Sequence, residues 1–369
     1  MSVWQSKQIG ERLRASPLTA AEVDRIAHSG GLRAPQVEAL VQLWLQGASV
    51  GSADERASGP HPAKIAVVAP GNLFVATWQP IIEGLALGAE VVVRASQRDR
   101  DAPDVLRRWL HRAVPELAPR LRCVTFPRDD EGSWRRLLSD VDAAVVQGSS
   151  TACEDLKGVR DRCSPGLPIR AQGHRLSLSL VSGPPSKPLC DRLAFDALVS
   201  AGRGCMAPRV VIHRGGGDLR DWVEPLSDAL QGLSDRWQLP AFEQLDGAWR
   251  HAVELHRLEA ALAGGRLLEP ALSAAQLLIR LDAPIDRLTL SHLPPAGPAL
   301  WLLASEAPAA RLLAPVSRWL SVVTVDADSE PLREALYEAG ALRVDEIGRA
   351  QSPPWGVTCE MLPLGAELL

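Results

Sequence analysis

Aromatic side chains other than tryptophan are scarce in this 369-residue chain: one Tyr and four Phe stand against 11 Trp, and Met occurs three times. The tryptophans are scattered along the sequence, which reads as core filling and amphipathic surface and calls for no aromatic binding platform. Long apolar runs are missing too. No stretch reaches the roughly 18 residues that cross a bilayer, and the opening MSVWQSKQIGERLR has no signal-peptide core. A cytoplasmic protein without a membrane span is expected. Charge of one sign is not in excess: 40 Lys and Arg against 44 Asp and Glu give a formal net charge of −4, so the basic footprint of a nucleic-acid binder is absent.

Cysteine is sparse and unpatterned. Six residues, at 123, 153, 163, 190, 205 and 359, form no C-x-x-C pair and no disulfide framework, and are read as reduced thiols. There is no G-x-G-x-x-G or Walker A sequence, and Gly215-Gly216-Gly217 lacks the later glycine and helix of a phosphate loop. Gly47-Ala48-Ser49-Val50-Gly51 matches G-x-S-x-G, but it follows a helix and enters a linker, whereas a nucleophile elbow needs a strand before it and a helix after it. No H-E-x-x-H occurs, and His251 and His256, five apart, miss a shared helix face, so no metal is expected.

What the chain does contain is enough apolar sequence, 46%, for two cores. Thr19-Ala20-Ala21-Glu22 reads as a capping box opening a helix that stops at Gly30-Gly31. A second helix has Pro35 in its first turn, repeats Val37, Leu40, Val41 and Trp44 on one face, and ends at Gly47 as a left-handed cap. Residues 1–60 thus form a helical arm and a Gly/Ser/Ala/Pro linker. Beyond it, short β-branched runs alternate with helical patterns: 65–68 then 77–87, 91–93 then 103–114, 123–126 then 131–139, and 145–146 then 150–162. That spacing predicts right-handed βαβ units and a doubly wound parallel sheet. Strands at 176–181 and 210–213 bracket a helix over 191–200, and a further α/β region runs to a strand at 319–325 and a helix over 329–339 closed by Gly340. The expected division is an α/β domain over 61–190, a second α/β domain over 191–340, and a tail over 341–369 that returns to the core or to an oligomer interface.

Five ordered segments carry a resemblance. Ala69-Pro70-Gly71-Asn72 with Val91-Val92-Val93-Arg94-Ala95-Ser96, then Gln147-Gly148-Ser149-Ser150-Thr151, resemble the aldehyde dehydrogenase turns in which Pro-x-Asn, Lys-Pro-Ser-like and Gly-Ser motifs follow strands. Gly173-His174-Arg175-Leu176 opens a third segment of the set, Gly202-Arg203-Gly204-Cys205-Met206-Ala207-Pro208-Arg209 is similar to the nucleophile segment of LuxC-type acyl-CoA reductases, and 340–355 is similar to that family's end. The sequence departs from the family at Arg203, where glutamine is common, and after Trp355, where Gly356-Val357-Thr358-Cys359-Glu360 replaces the usual Trp-x-x-Asp-Gly. The resemblance implies an aldehyde-dehydrogenase-like α/β fold with two doubly wound parallel-sheet domains and, as activity, NADPH-dependent reduction of an acyl thioester, on CoA or an acyl-carrier protein, to an aldehyde. NADH is an alternative cofactor. Oxidative aldehyde dehydrogenase chemistry, or an inactive acyl-binding subunit, are the alternative functions, and a homo-oligomer is a candidate assembly.

The residue chemistry agrees with this. Thioester reduction needs a soft nucleophile, here Cys205, with positive potential from Arg203 and Arg209, and Gly202 and Gly204 leave room for substrate. The resemblance makes the Asn72 amide and the Cys205 N–H the oxyanion donors. Oxidising aldehyde dehydrogenases place a glutamate base near the start of the third segment, where this chain reads Ala171-Gln172-Gly173-His174, and glutamine takes no proton, which favours reduction; His174 is the candidate proton donor. Gly148, Ser149 and Ser150 at a helix start suit a diphosphate, and Arg94, Ser96 and Arg98 after a strand suit an adenosine ribose with a 2′-phosphate.

Overall fold

The computed structural model describes residues 6–48, 62–240, 244–262, 266–268, 276–280, 284–327 and 329–355. Ser49–Gly51 of the G-x-S-x-G match, Cys359 and the replaced tail after Trp355 lie outside them. The chain divides into two units, one ending at His174 and regaining the chain from Ser352, the other spanning Arg175–Gln351.

The first unit opens with α1 (Ser6–Ala15), α2 (Ala20–Gly30) and α3 (Ala34–Gly47). The capping box forms as expected: the Thr19 hydroxyl accepts from Glu22 N at 3.3 Å and Glu22 Oε2 accepts from Thr19 N at 3.0 Å, while Gly31, at φ +60°, closes the helix. Gly47 plays a different part from the one expected. It remains helical, the cap falls on Ala48 at φ −61°, and a Cβ at Gly47 would lie 2.0 Å from the Pro353 carbonyl. The glycine admits the returning chain.

A parallel sheet follows, built from β1 (Lys64–Val68), α4 (Phe74–Ala86), β2 (Glu90–Arg94), α5 (Ala102–Ala113), β3 (Leu121–Val124), α6 (Glu131–Ser139), β4 (Ala143–Gln147), α7 (Ser150–Cys163) and β5 (Ile169–Gln172). Its strand order is β3-β2-β1-β4-β5, so the connections reverse direction between β1 and β4. One face buries Ala66, Val68, Val92, Ala144 and Val146 against Trp134, Leu137, Leu138, Cys153 and Leu156 of α6 and α7. The opposite face meets α4 so closely that a Cβ on Gly84 would stand 2.9 Å from Val91.

The second unit contains β6 (Leu176–Val181), α8 (Lys187–Leu198), β7 (Pro208–His213), α9 (Val223–Trp237), α10 (Gly247–Leu262), β8 (Leu267–Leu268), β9 (Gln276–Arg280), β10 (Ala299–Ala304), α11 (Ala309–Leu313), β11 (Leu320–Val325), α12 (Glu330–Glu338) and β12 (Arg343–Glu346). They form a seven-stranded sheet ordered β12-β11-β6-β7-β10-β9-β8, parallel except for the antiparallel β8–β9 edge. The units part at 174/175 and not at 190/191, because β6 pairs with β7 and β11. Likewise β12 pairs with β11, which keeps the chain up to Gln351 in this unit, and the helical arm belongs to the first.

Although scattered in sequence, four tryptophans converge in the first unit. Trp44 meets Trp355 at 4.5 Å between ring centroids, Trp78 at 5.4 Å and Trp109 at 6.2 Å. The Trp355 indole N–H donates to Trp44 O at 2.7 Å, and its amide donates to Gly47 O at 3.0 Å. Trp355→Ala removes a 1% exposed indole from this cluster. It is expected to cost about 3–5 kcal/mol in denaturant unfolding, against less than 1 for an exposed substitution such as Glu38→Ala.

Candidate active site

Three groups of side chains take shape at strand ends. The first lies at the carboxyl ends of β1 and β2. Ala69 N donates to Arg94 O at 3.1 Å, which holds the Pro70-Gly71-Asn72 turn beside the loop after β2. A Cβ on Gly71 would come 2.5 Å from Ser96 Oγ, and that hydroxyl accepts from Arg98 N at 3.3 Å. Asn72 and Arg98 are exposed, and Asn72 lies two residues before α4, whose N-cap is Leu73. Beneath the loop Asp99 is buried, pushed up to about 6 by that burial; Ser29 Oγ approaches it at 3.5 Å.

Arg94 turns away from this group. Its Nη2 donates to Phe126 O at 2.9 Å, and its guanidinium lies 5.5 Å from the Phe126 ring centroid and 5.3 Å from that of Trp134. Burial, with Arg128 nearby, lowers its pKa. The pairing of Arg94 with Arg98 expected from sequence is therefore not seen. A guanidinium leaving a half-buried strand end is better served by a carbonyl and two ring faces than by open solvent.

The second group joins β4 to β5. Ser149 is the N-cap of α7, its hydroxyl accepting from Ala152 N at 3.1 Å. Gly148 N donates to Gln172 O at 3.1 Å, Gln147 Nε2 donates to Gln172 Oε1 at 2.6 Å, and a Cβ on Gly173 would meet Ser150 Oγ at 3.1 Å. Gln172 is buried and committed to Gln147, while His174 is exposed. Amides and hydroxyls at these two edges of a parallel sheet, flanking the reversal between β1 and β4, suit phosphate oxygens and ribose hydroxyls.

The third group surrounds Cys205 at the entry to β7, in the second unit. Ala207 N donates to Gly204 O at 3.1 Å, closing a turn that carries a half-buried Cys205. Ser177 Oγ donates to Cys205 O at 2.7 Å and accepts from Val322 N at 3.1 Å, tying the turn to β6 and β11. Ala201 and Gly202 precede it at φ +51° and +64°. A Cβ on Gly202 would sit 1.8 Å from Gly297 O, so this glycine accommodates the protein's own backbone and not a substrate. Arg203 is exposed two residues before the thiol. Arg209 is otherwise engaged: its Nη1 donates to Pro294 O at 2.9 Å, so the structure records a structural bond for it in place of the charge role expected.

Sequence reasoning gave Gln147 and Ser177 no role of their own and missed Gly297. Ser177 had a signal, because a polar residue in a strand whose six residues are all buried needs a partner; Ser179 of the same strand finds Thr324 at 2.8 Å. Among the described residues no group of three or more His, Cys, Asp or Glu side chains is arranged to hold a metal, and no helix is long and apolar enough to cross a membrane.

The family model for LuxC acyl-CoA reductase matches residues 58–357. The chain belongs to this family. It is accordingly an oxidoreductase of acyl and aldehyde groups, with an acyl thioester as the family's substrate. No curated protein matches the reductase. Solved structures resemble its fold: aldehyde dehydrogenase 21 of Physcomitrella patens, in complex with succinate, is 14% identical, with a TM-score of 0.68 over 95% of this chain and 79% of that one. A NAD-dependent benzaldehyde dehydrogenase from Corynebacterium glutamicum is 13% identical, with a TM-score of 0.67 over 93% and 80%. Aldehyde dehydrogenase C of Pseudomonas syringae, a mutant solved with NAD+ and octanal, is 14% identical, with a TM-score of 0.65 over 93% and 76%.

Thiol labelling separates Cys205 from its neighbours. Burial pushes Cys123 and Cys190 up to about 11, leaving about one part in a thousand as thiolate at pH 8. Iodoacetamide at pH 8 is expected to modify Cys205 at least tenfold faster than either, with acyl-CoA protecting it. Mass mapping of the labelled peptides checks this, and equal rates would remove Cys205 from the nucleophile role.

Proposed function

We propose that the reductase converts an acyl thioester, on CoA or an acyl-carrier protein, to an aldehyde with NADPH, through an acyl group carried on Cys205. The observation that carries the reading is the turn at the start of β7, which presents a half-buried thiol while its backbone is fixed by Ser177 and Gly297. Cys205 Sγ attacks the thioester carbonyl, and collapse of the tetrahedral oxyanion breaks the bond to the donor sulfur, leaving an acyl-cysteine. The departing thiolate takes a proton, for which His174 is the proposed donor. A reduced nicotinamide supplies hydride to the acyl carbon when bound. The resulting thiohemiacetal oxyanion collapses to the aldehyde, and Cys205 leaves as thiolate. In both tetrahedral states the Cys205 amide is the proposed donor to the oxyanion.

The dinucleotide is proposed to lie across the ends of β1, β2 and β4. Gly148, Ser149 and Ser150 would hold the diphosphate, and Ser96 with Arg98 the adenosine ribose. The close approach of Gly71 to Ser96 supports this, since it lines an edge with donors and admits no side chain between them. Arg94 shapes the edge through Phe126 and Trp134.

Arg98→Ala is expected to weaken NADPH binding by about 1.5–3 kcal/mol, the worth of a hydrogen bond to a charged group, and NADH binding hardly at all. Titration calorimetry with both nucleotides decides it. Equal losses would take Arg98 off the 2′-phosphate.

Gln172, buried and bonded to Gln147, offers no carboxylate base, and the proposed direction of the chemistry follows from that. Without a carboxylate to activate water, the acyl-cysteine is expected to hydrolyse slowly yet exchange readily with thiols, making aldehyde oxidation dependent on added CoA. Gln172→Glu keeps an acceptor for Gln147 Nε2 and, if residue 172 points at the thioester, is expected to raise carboxylate formation and lower aldehyde yield; an unchanged product ratio takes it out of that role. Carboxylate, aldehyde and acyl-CoA are measured together from one acyl-CoA preparation. Rapid CoA-independent oxidation by the natural protein would favour an oxidative aldehyde dehydrogenase instead.

A further inference from the structure

The thiol turn is backed by a segment that carries no chemistry of its own. Residues 294–297 run into β10, and Ala299 N donates to Gly297 O at 2.7 Å. That same carbonyl faces Gly202, three residues before Cys205. Behind it stands α10: a Cβ on Gly297 would lie 2.1 Å from Trp249 Nε1. Arg209, the second residue of β7, reaches past the turn and donates to Pro294 O at 2.9 Å. Strands β7 and β10 are neighbours, with Val210 opposite Trp301, so the bond spans a fixed gap.

We infer that Arg209 is a positioning residue for Cys205, acting through residues 294–297. This rests on the reading of Cys205 as nucleophile. The guanidinium anchors one end of the segment and the Trp249 indole blocks retreat at the other. The Gly297 carbonyl is thereby pressed against the left-handed Ala201–Gly202 pair. Arg209 is half-buried, burial lowers its pKa, and the partner it is given is the neutral Pro294 carbonyl. If the segment relaxes, Gly202 follows into the space vacated and the thiol leaves its line of attack.

The test uses the full chain with Arg209→Met and Arg209→Lys. Met is expected to lower kcat about 10- to 100-fold, as misplacement on the ångström scale does, with the cofactor KM unchanged within twofold. The pH midpoint of Cys205 alkylation is expected to stay where it is, and Lys, which can donate to Pro294 O, to restore kcat to within about threefold of the natural protein. A Met variant with unimpaired kcat overturns the inference. So does one whose alkylation midpoint rises while high pH restores its activity, since the arginine then acts through its charge. Should the Met variant not fold, Gly297→Ala, pressed by Trp249, is judged on the same readouts, and an unchanged kcat there overturns the inference as well. Quenched mass spectrometry of the natural protein keeps the two claims apart. No acyl group on Cys205 defeats the nucleophile reading, whereas an acylated Cys205 with an unimpaired Arg209→Met protein defeats only the inference.

Discussion

The contact between Gly202 and the Gly297 carbonyl constrains everything around Cys205. Two backbones approach where a single methyl group would be 1.8 Å from an oxygen, so the turn can take only one position relative to β10. Ala201 and Gly202 both adopt left-handed backbone, and for the alanine this costs about 1–2 kcal/mol. Such a conformation persists when the surroundings over-determine it. Here they do: Ser177 holds the Cys205 carbonyl from β6, and Gly297 backs the approach from the other side. The thiol is placed by groups that take no part in the chemistry.

A comparable economy governs the return of the chain near its end. In the second unit, the Asp196 carboxylate on α8 accepts from Gly348 N at 2.7 Å and Ala350 N at 3.2 Å, while Arg343 donates to Ala350 O. Burial pushes Asp196 up to about 7 against the pull of those amides and of Arg343. Its folded value lies above the ordinary 3.8, so its contribution to stability is full below about pH 4 and is lost as pH rises towards 7. The helix bearing this clamp leads directly into the Cys205 turn. In the first unit the following residues are held by bonds to neutral partners: Ser352 Oγ donates to Leu43 O, Gln79 Nε2 to Pro354 O, and Trp355 enters the tryptophan cluster.

The periodic parts of this architecture were legible in the sequence, and the reasons for the misses are physical. β1, β2, β4, β6, β7 and β11 are rich in Val, Ile and Leu and are bounded by turn residues, so they stood out. β10, Ala-Leu-Trp-Leu-Leu-Ala, contains no β-branched residue and reads locally as well for helix. β5, Ile-Arg-Ala-Gln, and β12, Arg-Val-Asp-Glu, are short and polar because they edge their sheets. Among candidate site residues, the turns holding Asn72, Ser96, Gly148 and Cys205 were recognisable as strand-end motifs. Their partners were not: what Gly47 and Gly202 accommodate comes from Pro353 and Gly297, far along the chain, and glycine for close approach looks the same in sequence as glycine for a cap or a substrate. Arg94 and Arg209 were misjudged for a related reason, since an arginine gives no local sign of whether its fork will find a phosphate, a thiolate or a carbonyl.

The two units use opposite edges of their parallel sheets. In the first, the recognisable turns follow β1, β2 and β4, where helices start and backbone N–H groups point outward, which suits the binding of anions. In the second, Cys205 precedes β7 and Ser177 opens β6, so the thiol lies at the edge where strands begin. That edge collects the ends of helices such as α8, whose carbonyl-bearing termini disfavour a thiolate. A nucleophilic cysteine there must draw its stabilisation from elsewhere. The irregular turn from Ala201 to Ala207 supplies a way, because it takes Cys205 out of the helix and sets the Arg203 guanidinium, whose pKa burial lowers, two residues ahead of it in sequence.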